Sequence, residues 1–230
     1  VAKVLIGIQV RSNSVRFPNK SNMPFGKTTV AGQVVNQALR ARPWLRNIAD
    51  TTVCMLMPRG DTISYPSHDV QYFFGDEHDV LSRYAQANEK YNADFIVRLT
   101  GDCCWITSHV IAKCLRAAIS NNADYTSNVL VRTFMEGLDC EVMSRPLLEW
   151  LDASAKSDIE REHVTYKFVN DVQNGKAPNT FKVHTILSEY DLSHIKTSID
   201  TKDEYISCLN AVTELEKKQA LARSFGGVTN

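Results

Sequence analysis

The sequence lacks the features that mark most specialised classes of protein. Nowhere in its 230 residues do about 18 apolar residues follow one another, the length a membrane-spanning helix requires. Neither sign of charge is in surplus. The 26 basic residues balance 26 acidic ones, so no global field draws the chain to nucleic acid or to an anionic membrane, and any affinity for phosphate must be local. The six cysteines show no C-x-x-C spacing, and most lie in apolar segments where a free thiol behaves as a small hydrophobe. Structural zinc and disulfides are therefore not expected, and a reducing, cytoplasmic setting is. No secretory leader is expected before the first apolar segment, and no internal repeat is apparent in the sequence.

What is present centres on Val4 to Lys20, VLIGIQVRSNSVRFPNK. Val4 to Val10 is almost wholly apolar and rich in β-branched residues, as in a strand buried on both faces. The next ten residues carry Arg11, Ser12, Ser14, Arg16 and Lys20 and no acid. Such a loop at the carboxyl edge of an α/β sheet suits a polyphosphate, wrapped by hydroxyls, loop amides and three cations. On composition alone, a solvated basic loop accounts for it equally well.

Downstream, Gly26-Lys27-Thr28 imitates the end of a P-loop, but Ser21 stands where that motif needs a glycine. Thr28 or Thr29 instead suits the cap of a helix whose apolar residues Val30, Val34, Val35, Ala38 and Leu39 recur at helical spacing, ending at Pro43. Further strands are expected at Thr51 to Met57, Val70 to Phe74 and Phe95 to Leu99, and helices at Val80 to Tyr91 and Ser108 to Asn121. Asp79 either caps the helix that follows it or lies near a bound nucleotide with Arg83. Asp102, after Thr100-Gly101 at the end of a buried strand, is either a turn aspartate or a ligand for a hard cation such as Mg²⁺. Asp139 and Glu141, two apart, share a face if that stretch is a strand. That face lines a pocket or meets solvent. His163 lies in a helical pattern, where a lone histidine is more often structural than in contact with substrate.

Six ordered motifs carry a resemblance over nearly the whole chain. Arg11-x-x-Ser14-x-Arg16-x-Pro18-x-Lys20, Gly75-Asp76-Glu77-x-Asp79-Val80-Leu81-x-Arg83-Tyr84 and Arg98-x-Thr100-Gly101-Asp102-Cys103 come first. They are followed by Arg132-Thr133-x-x-x-Gly137-Leu138-Asp139-x-Glu141-Val142, Arg161-Glu162-His163-Val164-Thr165 and Thr197-Ser198-Ile199-Asp200-Thr201-x-Asp203. Together they resemble the cytidylyltransferases that make CMP-activated sugar acids, most of all the spore-coat-polysaccharide branch, with the CMP-Kdo and CMP-sialate synthetases as relatives. Asn13 departs from the branch's usual glycine, and Cys104 from its usual proline.

The resemblance implies a three-layer, Rossmann-like nucleotidyltransferase fold with a mostly parallel sheet, one domain over 1–230, and a small β-rich dimerisation extension at about 129–145. It implies CTP as nucleotide, an acidic sugar as acceptor and a homodimer. Arg11, Lys20 and Asp102 are then the expected catalytic residues. Arg11, Ser14, Arg16, Lys20, Asp79, Arg83 and Thr100 are expected to bind nucleotide, and Asp102 and Asp200 to hold Mg²⁺. Asn128, Asp139, Glu141 and His163 are expected around the acceptor. Two other readings stand beside this one. A metal-dependent glycosyltransferase using nucleotide sugars would need a D-x-D motif, which does not follow the Phe95 to Leu99 strand. The substitutions at 13 and 104 keep open a non-catalytic nucleotide-binding homologue.

Overall fold

The structure, a computed structural model, describes residues 1–225. Strand β1 (Ala2–Gln9) is an inner strand of a seven-stranded sheet. On one side lie β4 (Ala49–Pro58) and then β5 (Val70–Gly75) at the edge. On the other side the order is β6 (Phe95–Thr100), β8 (Glu141–Ser144), β7 (Tyr125–Ser127) and β9 (Val183–Thr185). All pairs are parallel except those of β8, which runs against β6 and β7. Residues of β1 alternate between two cores, as a pleated strand requires. Val4, Ile6 and Ile8 pack under α1 (Val30–Leu45) and α3 (Ser108–Asn121), while Leu5 packs with α2 (Val80–Tyr91) and α4 (Arg145–Ser154) on the opposite face. The fold is therefore the expected three-layer α/β arrangement. Among the described residues no helix is long and apolar enough to cross a membrane.

The structure settles several local expectations and corrects others. Gly26 and Lys27 form the turn of a small hairpin, β2 (Pro24–Phe25) with β3 (Thr28–Thr29), with Gly26 at φ 58°. Thr29, rather than Thr28, caps α1 by accepting from the Gly32 amide. Pro43 does not end α1. It falls in the last turn, where the lost hydrogen bond is one of few remaining, and buried Ala41 and Leu45 keep that turn on the core. The stretch 129–140 contains no strand. Asp139 lies outside β8, which starts at Glu141, so the two acids do not share a strand face. The helical pattern around His163 is broken into α5 (Asp158–Glu162) and α6 (Tyr166–Gln173), because Val164 takes a left-handed φ of 45°. That conformation is unfavourable for a β-branched residue and is held here by complete burial.

The last long helix, α7 (Lys202–Phe225), stands on a third, small core of Phe25, Val30, Cys104, Ile199, Tyr205 and Cys208. All six cysteines are free and buried, as expected from their apolar settings. Cys104, in the family's proline position, is thus a filler of this core.

Candidate active site

At the carboxyl ends of β1 and β6 the chain encloses a cavity of about 330 Å³. The ends coincide because Gln9 pairs with Thr100 in the parallel ladder. The Gly101 amide then donates to the Gln9 carbonyl at 2.9 Å. This close approach is why glycine occupies 101: a Cβ there would sit 2.3 Å from a Val10 methyl.

The loop after β1 is folded by its own polar groups. Asp61 accepts from the Ser12 amide at 2.7 Å and from its hydroxyl at 3.1 Å. The Asn19 amide donates to the Ser12 carbonyl, and Asn19 itself is left-handed at φ 60°. That reversal starts a single 3-10 turn, Lys20–Asn22, which buries Lys20. Asn13 is not in the left-handed region, so asparagine in place of glycine costs the loop no strain.

The Lys20 ammonium is fully engaged. It donates to Asp102 at 2.8 Å, to the Ile199 carbonyl at 2.7 Å and to Asp200 at 3.3 Å. Asp102 follows β6 after Gly101. Asp200 comes from an irregular segment before α7. That segment is fixed by three contacts. The Ile199 amide donates to the Asp102 carbonyl, the Thr197 amide donates to the Glu136 carbonyl, and the Glu204 carboxylate accepts from the Asp200 amide. Burial works against the charge on Asp200, but Lys196, Lys20 and Arg16 outweigh it and hold its carboxyl below the usual range. Lys196, bonded first to Glu204 and also to Asp200, is raised in turn.

Five cations line the cavity, Arg11, Arg16, Lys20, Arg83 and Arg98, against three acids, Asp102, Glu162 and Asp200. Such a surplus suits a polyanion. Ser14, Thr100 and His163 also line it. Arg83 is almost wholly buried, donates to the Leu56 carbonyl at 2.9 Å and leaves its Nε without a partner. Asp79 caps α2 through the Ser82 amide and pairs with Arg161, so the structure uses it as a cap and does not place it on the cavity wall.

Of the residues expected around the acceptor, only His163 lines the cavity. Asn128 is buried and clamps the turn after β7, donating to the Leu138 carbonyl and accepting from the Cys140 amide. Asp139 forms a two-pronged pair with Arg132 at 2.8 and 3.0 Å. Glu141 is buried, and Arg98, Tyr125 and Thr165 all donate to it. Sequence reasoning passed over Arg98, Gln9 and Glu162. Arg98 and Glu162 were visible as members of motifs, and Gln9 had no signal beyond its place at the end of β1.

Asp102 and Asp200 converge at the cavity, each with one carboxylate oxygen that is not bonded to the Lys20 ammonium. Two carboxylates beside a phosphate cradle fit Mg²⁺, which takes few protein ligands and fills its shell with substrate phosphate and water. No group of three or more histidine, cysteine, aspartate or glutamate side chains suited to a metal ion occurs among the described residues.

Comparison with known proteins agrees with this geometry. A family model described as cytidylyltransferase matches residues 5–224. The spore coat polysaccharide biosynthesis protein SpsF of Bacillus subtilis is 27% identical over 216 residues, covering 89% of this chain and 84% of that protein. A cytidylyltransferase from Leptospira borgpetersenii superposes with a TM-score of 0.75 at 29% identity, over 96% of each chain. The fold also matches CMP:2-keto-3-deoxy-manno-octonic acid synthetase in complex with CTP, with a TM-score of 0.61 at 14% identity, over 95% of this chain and 100% of that one.

Proposed function

Because the chain belongs to the cytidylyltransferase family, and so to the nucleotidyltransferases, we propose that it transfers CMP from CTP to a hydroxyl of an acidic sugar, releasing pyrophosphate. The observation that carries this reading is the Lys20 ammonium held between Asp102 and Asp200 on the floor of a cationic cavity. The relationship to SpsF favours a surface polysaccharide as the destination of the product.

In this reading the acceptor oxygen forms a bond to the α-phosphorus as the bond to the bridging oxygen of the β-phosphate breaks. Pyrophosphate leaves and the acceptor hydroxyl gives up its proton. Arg11, Ser14 and Arg16 hold the triphosphate, Arg16 from an exposed position and Arg11 tethered to Glu162 at 3.3 Å. Lys20 is placed where charge grows, and its three fixed acceptors keep it from swinging away. Asp102 and Asp200 would hold Mg²⁺, which supplies neutralisation of charge on the attacking and leaving oxygens. Thr100 and Arg83 complete the nucleotide side. His163, the residue after α5, lines the same cavity and is the proposed acceptor contact. A homodimer through the region around 129–145, in the reducing cytoplasm, completes the reading.

The test is to titrate CTP, UTP, ATP and GTP by calorimetry with Mg²⁺, then to follow pyrophosphate release from CTP with a panel of acidic sugars. Preference for CTP and release with at least one acid are expected. Equal affinity for all four nucleotides would count against it, since the cavity would then read only phosphates. CTP binding without product would favour the non-catalytic homologue.

A further inference from the structure

Three of the sequence motifs and strand β7 meet at one buried carboxylate. Glu141, from the Gly137–Val142 motif, accepts hydrogen bonds from three side chains. These are Arg98 of the β6 motif, the Tyr125 hydroxyl of β7 and the Thr165 hydroxyl at the end of the Arg161–Thr165 motif. Tyr125 is wholly buried, and Glu141 and Thr165 nearly so. The antiparallel register that opposes Arg98 to Glu141 makes the pair a cross-strand neighbour. A buried ion pair is weak as a source of stability, because desolvation offsets its attraction. Its use here is to fix a side chain.

The side chain so fixed is Arg98. Its Nε donates to Gln9 at 3.0 Å and its Nη1 to Glu141. Its Nη2 has no hydrogen-bond partner among the described residues, and Arg98 lines the cavity. A guanidinium held on two sides with its third nitrogen turned to a cavity is preorganised to receive an anion. Its place indicates which one. Arg83, also on the cavity wall, bonds β4 on one side of β1. Arg98 lies on the other side, on the same strand that delivers Asp102 and toward β8. A nucleotide whose phosphates occupy the loop after β1 leaves the β8 side to the second substrate.

We propose that Arg98 receives the anionic group of the acceptor and that Glu141 is its positioning residue. This rests on the reading as a cytidylyltransferase. Glu141, expected from the sequence near the acceptor, then acts there through Arg98 instead of by contact.

The probes are 2-keto-3-deoxy-manno-octonic acid, an aldonic acid and a uronic acid, each paired with its methyl ester, assayed for pyrophosphate release at saturating CTP and Mg²⁺. The unaltered protein is expected to prefer at least one acid over its ester by about 10- to 150-fold in kcat/KM, the range of one hydrogen bond to a charged group. Arg98→Gln should abolish that preference while the calorimetric Kd for CTP changes less than about twofold. Arg98→Lys keeps the charge beside Glu141, so it guards against misfolding, and it should retain part of the preference. Glu141→Gln should raise KM for the acid and leave kcat and CTP affinity near their original values. The inference is overturned if Arg98→Gln and Arg98→Lys both keep the full preference, if no acid is preferred to its ester, or if the Arg98 variants weaken CTP binding itself. Failure of the unaltered protein to bind CTP is a different result and would overturn the cytidylyltransferase reading on which this one rests.

Discussion

Lys20 and Asp102, 82 positions apart in sequence, meet in an ion pair of 2.8 Å with the lysine side chain only 11% exposed. The pair joins the loop after β1 to the end of β6, and Asp200 closes it from a third segment. On the proposed function this triangle is the reaction centre, and the predictions below start from it.

Asp102→Asn and Asp200→Asn each remove a charge expected to hold Mg²⁺ while keeping size and shape. Both variants should stay folded by circular dichroism and lose about 10²-fold or more in kcat, and both should need more Mg²⁺ for half-maximal rate. Normal activity of Asp200→Asn at low Mg²⁺ would remove that residue from the site.

The same Asp200 sets a pH response. Its folded pKa lies below the ordinary value, because Lys196, Lys20 and Arg16 outweigh the cost of burial. A depressed carboxylate pKa contributes stability that is present above the unfolded value, about 3.9, and is lost as pH falls through the folded one. Thermal melts should therefore show no Asp200-dependent change between roughly pH 5 and 8 and a steeper acid limb below. Asp200→Asn should flatten that limb; an unchanged limb would show that the three cations do not stabilise the charge.

A dimer is expected through the region around 129–145. Val131 is exposed there, and Leu187 and Tyr190 are exposed in the segment that follows β9. Residues 188–195 are tied to 133–136, since the Ser188 amide donates to the Thr133 hydroxyl and the Leu192 amide to the Thr133 carbonyl. A two-fold pair is the commonest oligomer. Light scattering at micromolar concentration should give twice the 25.9 kDa chain mass, and Tyr190→Glu should shift it toward monomer. A monomer throughout refutes this interface.

Thr29 tests a purely structural reading. Its hydroxyl accepts from the Gly32 amide at 3.0 Å at the start of α1. Thr29→Ala should lower stability by about 1 kcal/mol in urea unfolding without altering CTP affinity.

Much of this was legible in the sequence, for identifiable reasons. Strand β1 and helix α3 announce themselves by an unbroken apolar run and by regular helical spacing. Lys20, Asp102 and Asp200 stand in motifs whose family resemblance implies one common site. What was hidden depends on contacts distant in sequence. That Glu141 faces Arg98 follows from the antiparallel register of β8 on β6, which no local pattern encodes. The break after His163 rests on a left-handed valine, where neither glycine nor asparagine gave warning. The small hairpin at Gly26 and Lys27 was obscured by its likeness to a phosphate-binding motif.

Steady-state kinetics of Lys20→Ala test the central claim most directly. If Lys20 meets charge that grows in the transition state, its loss should lower kcat by about 10²–10³-fold, the usual effect of removing one such donor. Arg11→Ala, removing an anchor that acts on bound CTP and transition state alike, should mainly raise KM. A folded Lys20→Ala protein that keeps kcat within about twofold would contradict the account, because the ammonium between Asp102 and Asp200 would then be a structural tie and not part of the reaction centre.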